Sequence, residues 1–290
     1  MSLFDRLVAQ ALQDQGHLAP LQPVVEKELL HHDILREMSS AGLLKNLTFI
    51  GGTCLRACYG SSRLSEDLDF TGGRNFHVND LSLLAQTLTE RLQLKYGLHV
   101  EVSEPRKLTG NVDTWKLRMI TRPQQNNLPP QRIHIDICSI PSYDRQPMVL
   151  RNFYGVEMGT SGLIIQAQSR EEILADKMVA FALRLNRIKN RDLWDICWLK
   201  QQNVSLPLEL VKKKILDHRR SHAEYLSMLT ERSRILAEDP QTQLSFRHEM
   251  QRFLPPGIFE ETVSNDEYWE YLRTTIQMEA ALIHHSITND

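Results

Sequence analysis

The segment Arg132-Ile133-His134-Ile135-Asp136-Ile137-Cys138 alternates strictly, with three isoleucines on one face and His134, Asp136 and Cys138 on the other. Successive strand side chains point to opposite faces, and β-branched residues suit a pleated surface, so this segment predicts a strand with one buried side. Such a strand needs a sheet around it, which excludes a purely helical bundle. At 290 residues and 41% hydrophobic content the chain can build a sizeable core, as one large or two medium domains of roughly 150 residues each. With only 13 Gly and 12 Pro, extended low-complexity tracts are excluded.

Other segments place further elements around that strand. Val24, Val25, Leu29, Leu30, Ile34, Leu35 and Met38 mark one face of a helix within residues 23–42. Leu47–Ile50 reads as a short buried strand, followed by a Gly51-Gly52-Thr53 turn into a second helix that ends near Tyr59-Gly60. Asp67–Phe70 is another short strand, Leu81–Tyr96 an amphipathic helix stopped by Gly97, and Leu98–Ser103 and Val112–Thr121 two further strands. The loop containing Pro123, Pro129 and Pro130 is expected to be exposed. After residue 168 the pattern is almost wholly helical, with starts at Ser169, near Arg191, at Pro207 and near Asp266. The expected fold is α+β, a mixed or antiparallel sheet flanked by helices over residues 1–168 and a helical domain over 169–290.

Net charge is −2, so nothing draws the whole chain to nucleic acid. The charge is unevenly spread: residues 184–220 carry 10 basic against 4 acidic side chains, a net of +6, and residues 221–290 carry 5 against 12, a net of −7. Cys54, Cys58, Cys138 and Cys197 have the spacing of neither a zinc site nor a disulfide framework, so reduced thiols are expected. The apolar run Leu163-Ile164-Ile165 is far too short for a membrane span, and the start Met-Ser-Leu-Phe-Asp lacks signal-peptide character. A cytoplasmic protein is the expectation.

The residues that carry chemistry are acidic. Asp67 and Asp69 lie two apart in a strand-like segment, which puts both carboxylates on one face. Two such charges repel unless protonation or a divalent cation relieves them, and hard oxygen donors suit Mg²⁺ or Mn²⁺. If the strand at 132–138 lies beside them, Asp136 becomes a third carboxylate, as in two-metal activation of a hydroxyl nucleophile. Upstream, Gly51-Gly52-Thr53 sits between strand and helix, where backbone N–H groups can hold a phosphate and the Thr53 hydroxyl can cap the helix or touch that phosphate. Taken singly, an Asp-x-Asp pair or a glycine turn is common by chance, and His134 and Cys138 read better as packed neighbours than as ligands.

The joint pattern is specific. Phe49-Ile50-Gly51-Gly52-Thr53, Tyr59-Gly60-Ser61-Ser62-Arg63-Leu64-Ser65-Glu66-Asp67-Leu68-Asp69-Phe70, Glu171-Glu172-Ile173-Leu174-Ala175-Asp176-Lys177 with Arg184, and Lys189-Asn190-Arg191-Asp192-Leu193-Trp194-Asp195 together resemble the AbiEii/AbiGii-type toxin nucleotidyltransferases. The resemblance implies a DNA polymerase β-like fold and Mg²⁺-dependent transfer of NMP from an NTP, the acceptor being a tRNA 3′ end. It also implies a separate antitoxin partner. By the same resemblance Gly51, Gly52, Thr53 and Ser65 serve the nucleotide, Asp67, Asp69 and Asp136 the metal, Lys177 the phosphates, and Arg191 and Asp192 the active site. Lys177, Arg184 and Arg191 are seven apart and would share a face if one helix ran through them. Asp192 and Asp195, at i and i+3, share a face too, and for Asp195 a salt-bridge role is as good a reading as function. Apolar Ile173, Leu174, Val179 and Ala180 around Lys177 suggest a partly buried lysine, costly unless an anion awaits it.

Two other readings compete. One keeps the chemistry but moves the nucleotide to a protein or small molecule, which the near-neutral charge favours slightly. The other is a nucleotide-binding module without catalysis, against which three clustered acids argue. If RNA is the acceptor, the stripe of Arg187, Lys189, Lys200, Lys212, Lys213, Lys214, Arg219 and Arg220 is expected to touch its phosphates.

Overall fold

The computed structural model describes residues 1–105, 110–124, 129–184 and 187–289. Residues 125–128 of the proline-containing loop lie outside them. The chain divides into two compact units, Met1–Ala167 and Gln168–Asp290.

The first unit is built on one seven-stranded mixed sheet. Its strands are β1 (Thr48–Ile50), β2 (Leu68–Thr71), β3 (Val100–Ser103), β4 (Val112–Met119), β5 (Gln131–Cys138), β6 (Arg145–Val149) and β7 (Ile164–Gln168), in the order β3-β4-β5-β2-β1-β7-β6. β5 behaves as its alternation demands: Ile133, Ile135 and Ile137 are fully buried, while Arg132 and His134 are exposed. It pairs antiparallel with β4 and parallel with β2, so the sheet is mixed as expected. The helices of this unit are α1 (Leu3–Asp14), α2 (Gln22–Ser40), α3 (Gly51–Cys54) and α4 (Leu84–Tyr96). A wider π-type turn extends α3 through Leu55–Tyr59 and stops at Gly60, whose φ of 86° a side chain would resist.

Along α2 the predicted apolar stripe is buried, but so are Glu26, Glu28, His31, His32 and Asp33. Each has a partner: Asp33 is bound by Lys95 at 2.5 Å, by Arg36 at 2.8 Å and by the Tyr96 hydroxyl, and Glu26 by Arg122 and by Gln131 at 2.6 Å. Burying carboxylates without such partners would cost several kcal/mol each. The sequence pattern does not predict α1, β6 or β7. β6 has no alternation, contains Pro147, and its residues are largely exposed, so its hydrophobic pattern carries no strand signal.

The second unit is helical, with α5 (Arg170–Leu183), α6 (Asn190–Gln201), α7 (Leu208–Asp217), α8 (His222–Glu238), α9 (Pro240–Met250), α10 (Pro256–Glu261) and α11 (Asp266–Thr288). Ser169 caps α5, accepting from the Glu172 amide at 3.1 Å, as its position just ahead of the helix predicts. One expectation fails: no single helix carries Lys177, Arg184 and Arg191. α5 ends at Leu183, and Arg184 takes an extended backbone with ψ 114°, so the seven-residue spacing does not set a common face. Among the described residues no helix is long and apolar enough to cross a membrane.

Candidate active site

The centre of the first unit lies where β1, β2 and β5 run side by side. β1 leads into α3 through Gly51, which has a φ of +74°. Ile50 pairs with Asp69 in the β1–β2 ladder, and an added Cβ on Gly51 would come within 2.9 Å of Asp69 Oδ2. Glycine is therefore required twice at this position, by conformation and by space.

Asp69 pairs in turn with Asp136 in the parallel β2–β5 ladder, which places the two acids on neighbouring strands and on the same face. Asp136 Oδ1 accepts the Thr114 hydroxyl from β4 at 2.6 Å. Asp67 sits one residue ahead of β2; its Oδ1 accepts the His134 amide at 3.0 Å and lies 3.6 Å from His134 Nδ1. The juxtaposition that sequence alone could state only conditionally is thus present for Asp69 and Asp136, with Asp67 beside His134. Among the described residues, no three His, Cys, Asp or Glu side chains are already drawn together closely enough to hold a metal ion. Mutual repulsion disfavours closing such a set without a countercharge, and amide and hydroxyl donors help hold the acids instead.

The hydroxyls of Thr53 and Ser65 are engaged within the protein. Thr53 Oγ1 donates to the Asp67 carbonyl and lies 2.5 Å from Ser65 Oγ, and both residues are buried. The helix cap expected of Thr53 is not formed, because this hydroxyl ties α3 to the segment ahead of β2. The Ser65 hydroxyl likewise faces inward, and its amide donates to Glu28 at 2.8 Å.

The motif residues of the second unit form a cluster of their own. Lys177 Nζ lies 2.5 Å from Asp192 Oδ1 and 2.8 Å from Asp195 Oδ2, and Arg184 reaches Asp192 Oδ2 at 3.2 Å. Burial raises the Asp192 pKa, but attraction from Lys177, with Lys189 and Arg184, outweighs it and holds the carboxyl well below the usual range. Lys177 is a buried lysine, as expected, and two carboxylates of its own unit supply the anions its burial requires. Arg191 points elsewhere, 3.4 Å from Glu249 and with its guanidinium 4.8 Å from the centre of the Phe253 ring.

Part of the basic stripe is internal as well. Lys214 is 1% exposed, with Nζ 2.5 Å from Glu172 and 3.0 Å from Asp176. Burial lowers its pKa, yet the two carboxylates more than offset this and keep the ammonium charged. Lys212 pairs with Glu209 and Lys200 with Glu279, each at 2.8 Å. Arg187, Lys213, Arg219 and Arg220 are exposed. The expectation that Lys214 touches RNA is overturned, because its head lies inside the unit. Glu172 and Asp176, at i and i+4, share a helix face, but their common partner Lys214, 38 residues beyond Asp176, leaves no local signal.

The family model described as "Nucleotidyl transferase AbiEii toxin, Type IV TA system" matches residues 33–273. Among solved structures, MenT4, a nucleotidyltransferase toxin from Mycobacterium tuberculosis H37Rv, is similar at a TM-score of 0.56 and 16% identity, covering 97% of this chain and 98% of its own. JHP933 from Helicobacter pylori is similar at a TM-score of 0.48 and 19% identity, covering 92% of this chain and 97% of its own. No curated protein matches.

Proposed function

Since the chain belongs to the AbiEii family of nucleotidyltransferase toxins, we propose that this enzyme transfers NMP from an NTP to an RNA end, a tRNA 3′ end in the first instance, with a divalent cation held by Asp69 and Asp136. The observation that carries this reading is the Asp69–Asp136 register, with Gly51 leaving room beside Asp69. Hard, adjacent carboxylate oxygens fit Mg²⁺ or Mn²⁺ in donor chemistry. Asp67, on the same side of the sheet, is the third candidate ligand. When bound, such a cation polarises the reacting phosphoryl oxygens and favours ionisation of the attacking hydroxyl. The protein's own part is to fix the acids on two paired strands and to bring the Gly51–Gly52 backbone up to the phosphates.

Lys177, Arg191 and Asp192 enter this reading through family membership alone. A phosphate contact by Lys177 requires it to exchange a carboxylate for phosphate oxygen, and Thr53 and Ser65 contribute through backbone rather than hydroxyl. An antitoxin partner also belongs to the proposal.

The test is incubation with α-labelled NTPs and Mg²⁺ in the presence of total RNA, and separately of protein extract. The proposal expects label in RNA from the parent and none from Asp69→Asn. Label confined to protein would favour the second acceptor, a reading supported by the internal pairing of Lys214.

A further inference from the structure

The segment Ser61–Asp67 leads directly into the proposed metal acids, and one face of α2 holds it from behind. Lys27, Glu28 and His31, at i, i+1 and i+4, all reach it. Lys27 Nζ pairs with Glu66 Oε1 at 2.8 Å, His31 Nε2 lies 3.0 Å from the Glu66 carbonyl, and Glu28 Oε1 accepts the Ser65 amide at 2.8 Å. The other oxygen of Glu28 accepts Arg56 Nε at 3.2 Å and the Tyr154 hydroxyl at 2.5 Å. Arg56 itself donates to the Ser61 carbonyl at 3.0 Å and stacks on the Phe153 ring at 3.8 Å. Glu28 is 5% exposed, so its charge stays folded only because these donors surround it.

We propose that Glu28 is a positioning residue for nucleotidyl transfer: it fixes the Ser65 amide, and through it the place of Asp67 two residues on. The inference rests on the function proposed above. Glu28 lies outside residues 33–273, so family membership assigns it nothing. Its carboxylate joins α2, the turn after α3 and the Ser61–Asp67 segment at one point. Thr53 completes the clamp by holding the Asp67 carbonyl. A displacement of about 1 Å at a reacting centre costs up to roughly a hundredfold in rate, and the Ser65 bond prevents this displacement at Asp67.

Asp33 supplies the control, being a buried carboxylate of the same helix whose donors, Lys95, Arg36 and Tyr96, lie away from this segment. The experiment compares the full-length parent, Glu28→Gln, Glu28→Gln/Arg56→Gln and Asp33→Asn. It measures melting temperature, kcat and KM for labelled NTP, and amide exchange at Ser65–Asp67. Glu28→Gln is expected to lower kcat about 10- to 100-fold with KM within about threefold, and to speed exchange at Ser65. Asp33→Asn is expected to lower the melting temperature while leaving kcat within about twofold. Should Glu28→Gln fold poorly, the double variant removes the orphaned guanidinium, so melting temperature recovers while kcat stays low. Equal kcat losses in Glu28→Gln and Asp33→Asn, or parent-like exchange at Ser65 in Glu28→Gln, would overturn the inference. A parent that transfers to no acceptor fails the proposed function instead, and the exchange comparison then decides whether Glu28 holds the segment.

Discussion

The chain carries two groups of acids drawn from its sequence motifs, and they are solved in opposite ways. On the sheet, Asp67 and Asp136 accept hydrogen bonds from a backbone amide and a hydroxyl, and the Asp67 side chain is 30% exposed. In the helical unit, Asp192 and Asp195 are at most 4% exposed and grip the ammonium of Lys177. Carboxylates compensated by a fixed buried cation serve the fold first, since removing either partner strands a charge. Carboxylates gathered on a half-open sheet face, beside a glycine that yields space, suit a ligand that brings its own charge. Motif membership does not distinguish the two groups, whereas burial and partner do.

The sharpest way to break this contrast is substitution on the sheet. Asp69→Asn is expected to reduce nucleotide transfer about a thousandfold, because the loss falls on charge stabilisation in the transition state. Its melting temperature should stay within a few degrees of the parent, and calorimetry beside the transfer assay checks both halves. Lys177→Met should fall on stability, costing about 3–5 kcal/mol of unfolding free energy, because Asp192 and Asp195 lose the buried ammonium they share while Arg184 still reaches Asp192. Denaturant titration reads this, and adding Asp192→Asn should recover part of it. Loss of NTP binding by Lys177→Met without loss of stability would dissolve the distinction between the groups.

A smaller effect comes from pH. Burial lowers the His32 pKa to about 4, while its Nδ1 lies 2.8 Å from the Thr160 hydroxyl. The unfolded chain binds this proton near the ordinary value of about 6.5, so between those values it holds more protons than the folded one. Stability should therefore fall as pH drops from about 6.5 to 4, by about 3 kcal/mol from this residue, and His32→Gln should flatten that slope. Asp192 acts lower on the scale. Its depressed pKa gives stability that is complete above the ordinary carboxylate range and is lost as pH falls below it, a loss that the Lys177→Met variant should lack. The smallest effect is expected of Thr114→Val, which removes one hydroxyl from Asp136 and should cost about 1.5 kcal/mol in stability or transfer rate.

The residues that were legible from sequence share one property: their signal is local. The alternation at 132–138 states which face of β5 is buried, and the Asp67-x-Asp69 spacing states which acids share a side. Gly51-Gly52 marks the turn that φ and the close approach of Asp69 require. What could not be read depends on contacts distant in sequence. Lys177 looked unpaired because its partners lie 15 and 18 residues away on another helix, and the seven-residue spacing assumed a helix that stops at Leu183. Glu28 reads as an ordinary polar residue of an amphipathic helix, yet its partners come from residues 56, 65 and 154. β6 and β7 were missed because neither displays alternation long enough to mark a half-buried strand.

On the proposed reading, Asp69 and Asp136, brought into register by β2 and β5, act together on a divalent cation. The most direct measurement is transfer of label from α-labelled NTP as Mg²⁺ is titrated, comparing the parent with Asp136→Asn at matched melting temperature. The parent rate is expected to rise and saturate with Mg²⁺ and to vanish in chelator, against a flat, near-zero response in Asp136→Asn. Parent-like transfer by Asp136→Asn, or undiminished parent transfer in chelator, would contradict it.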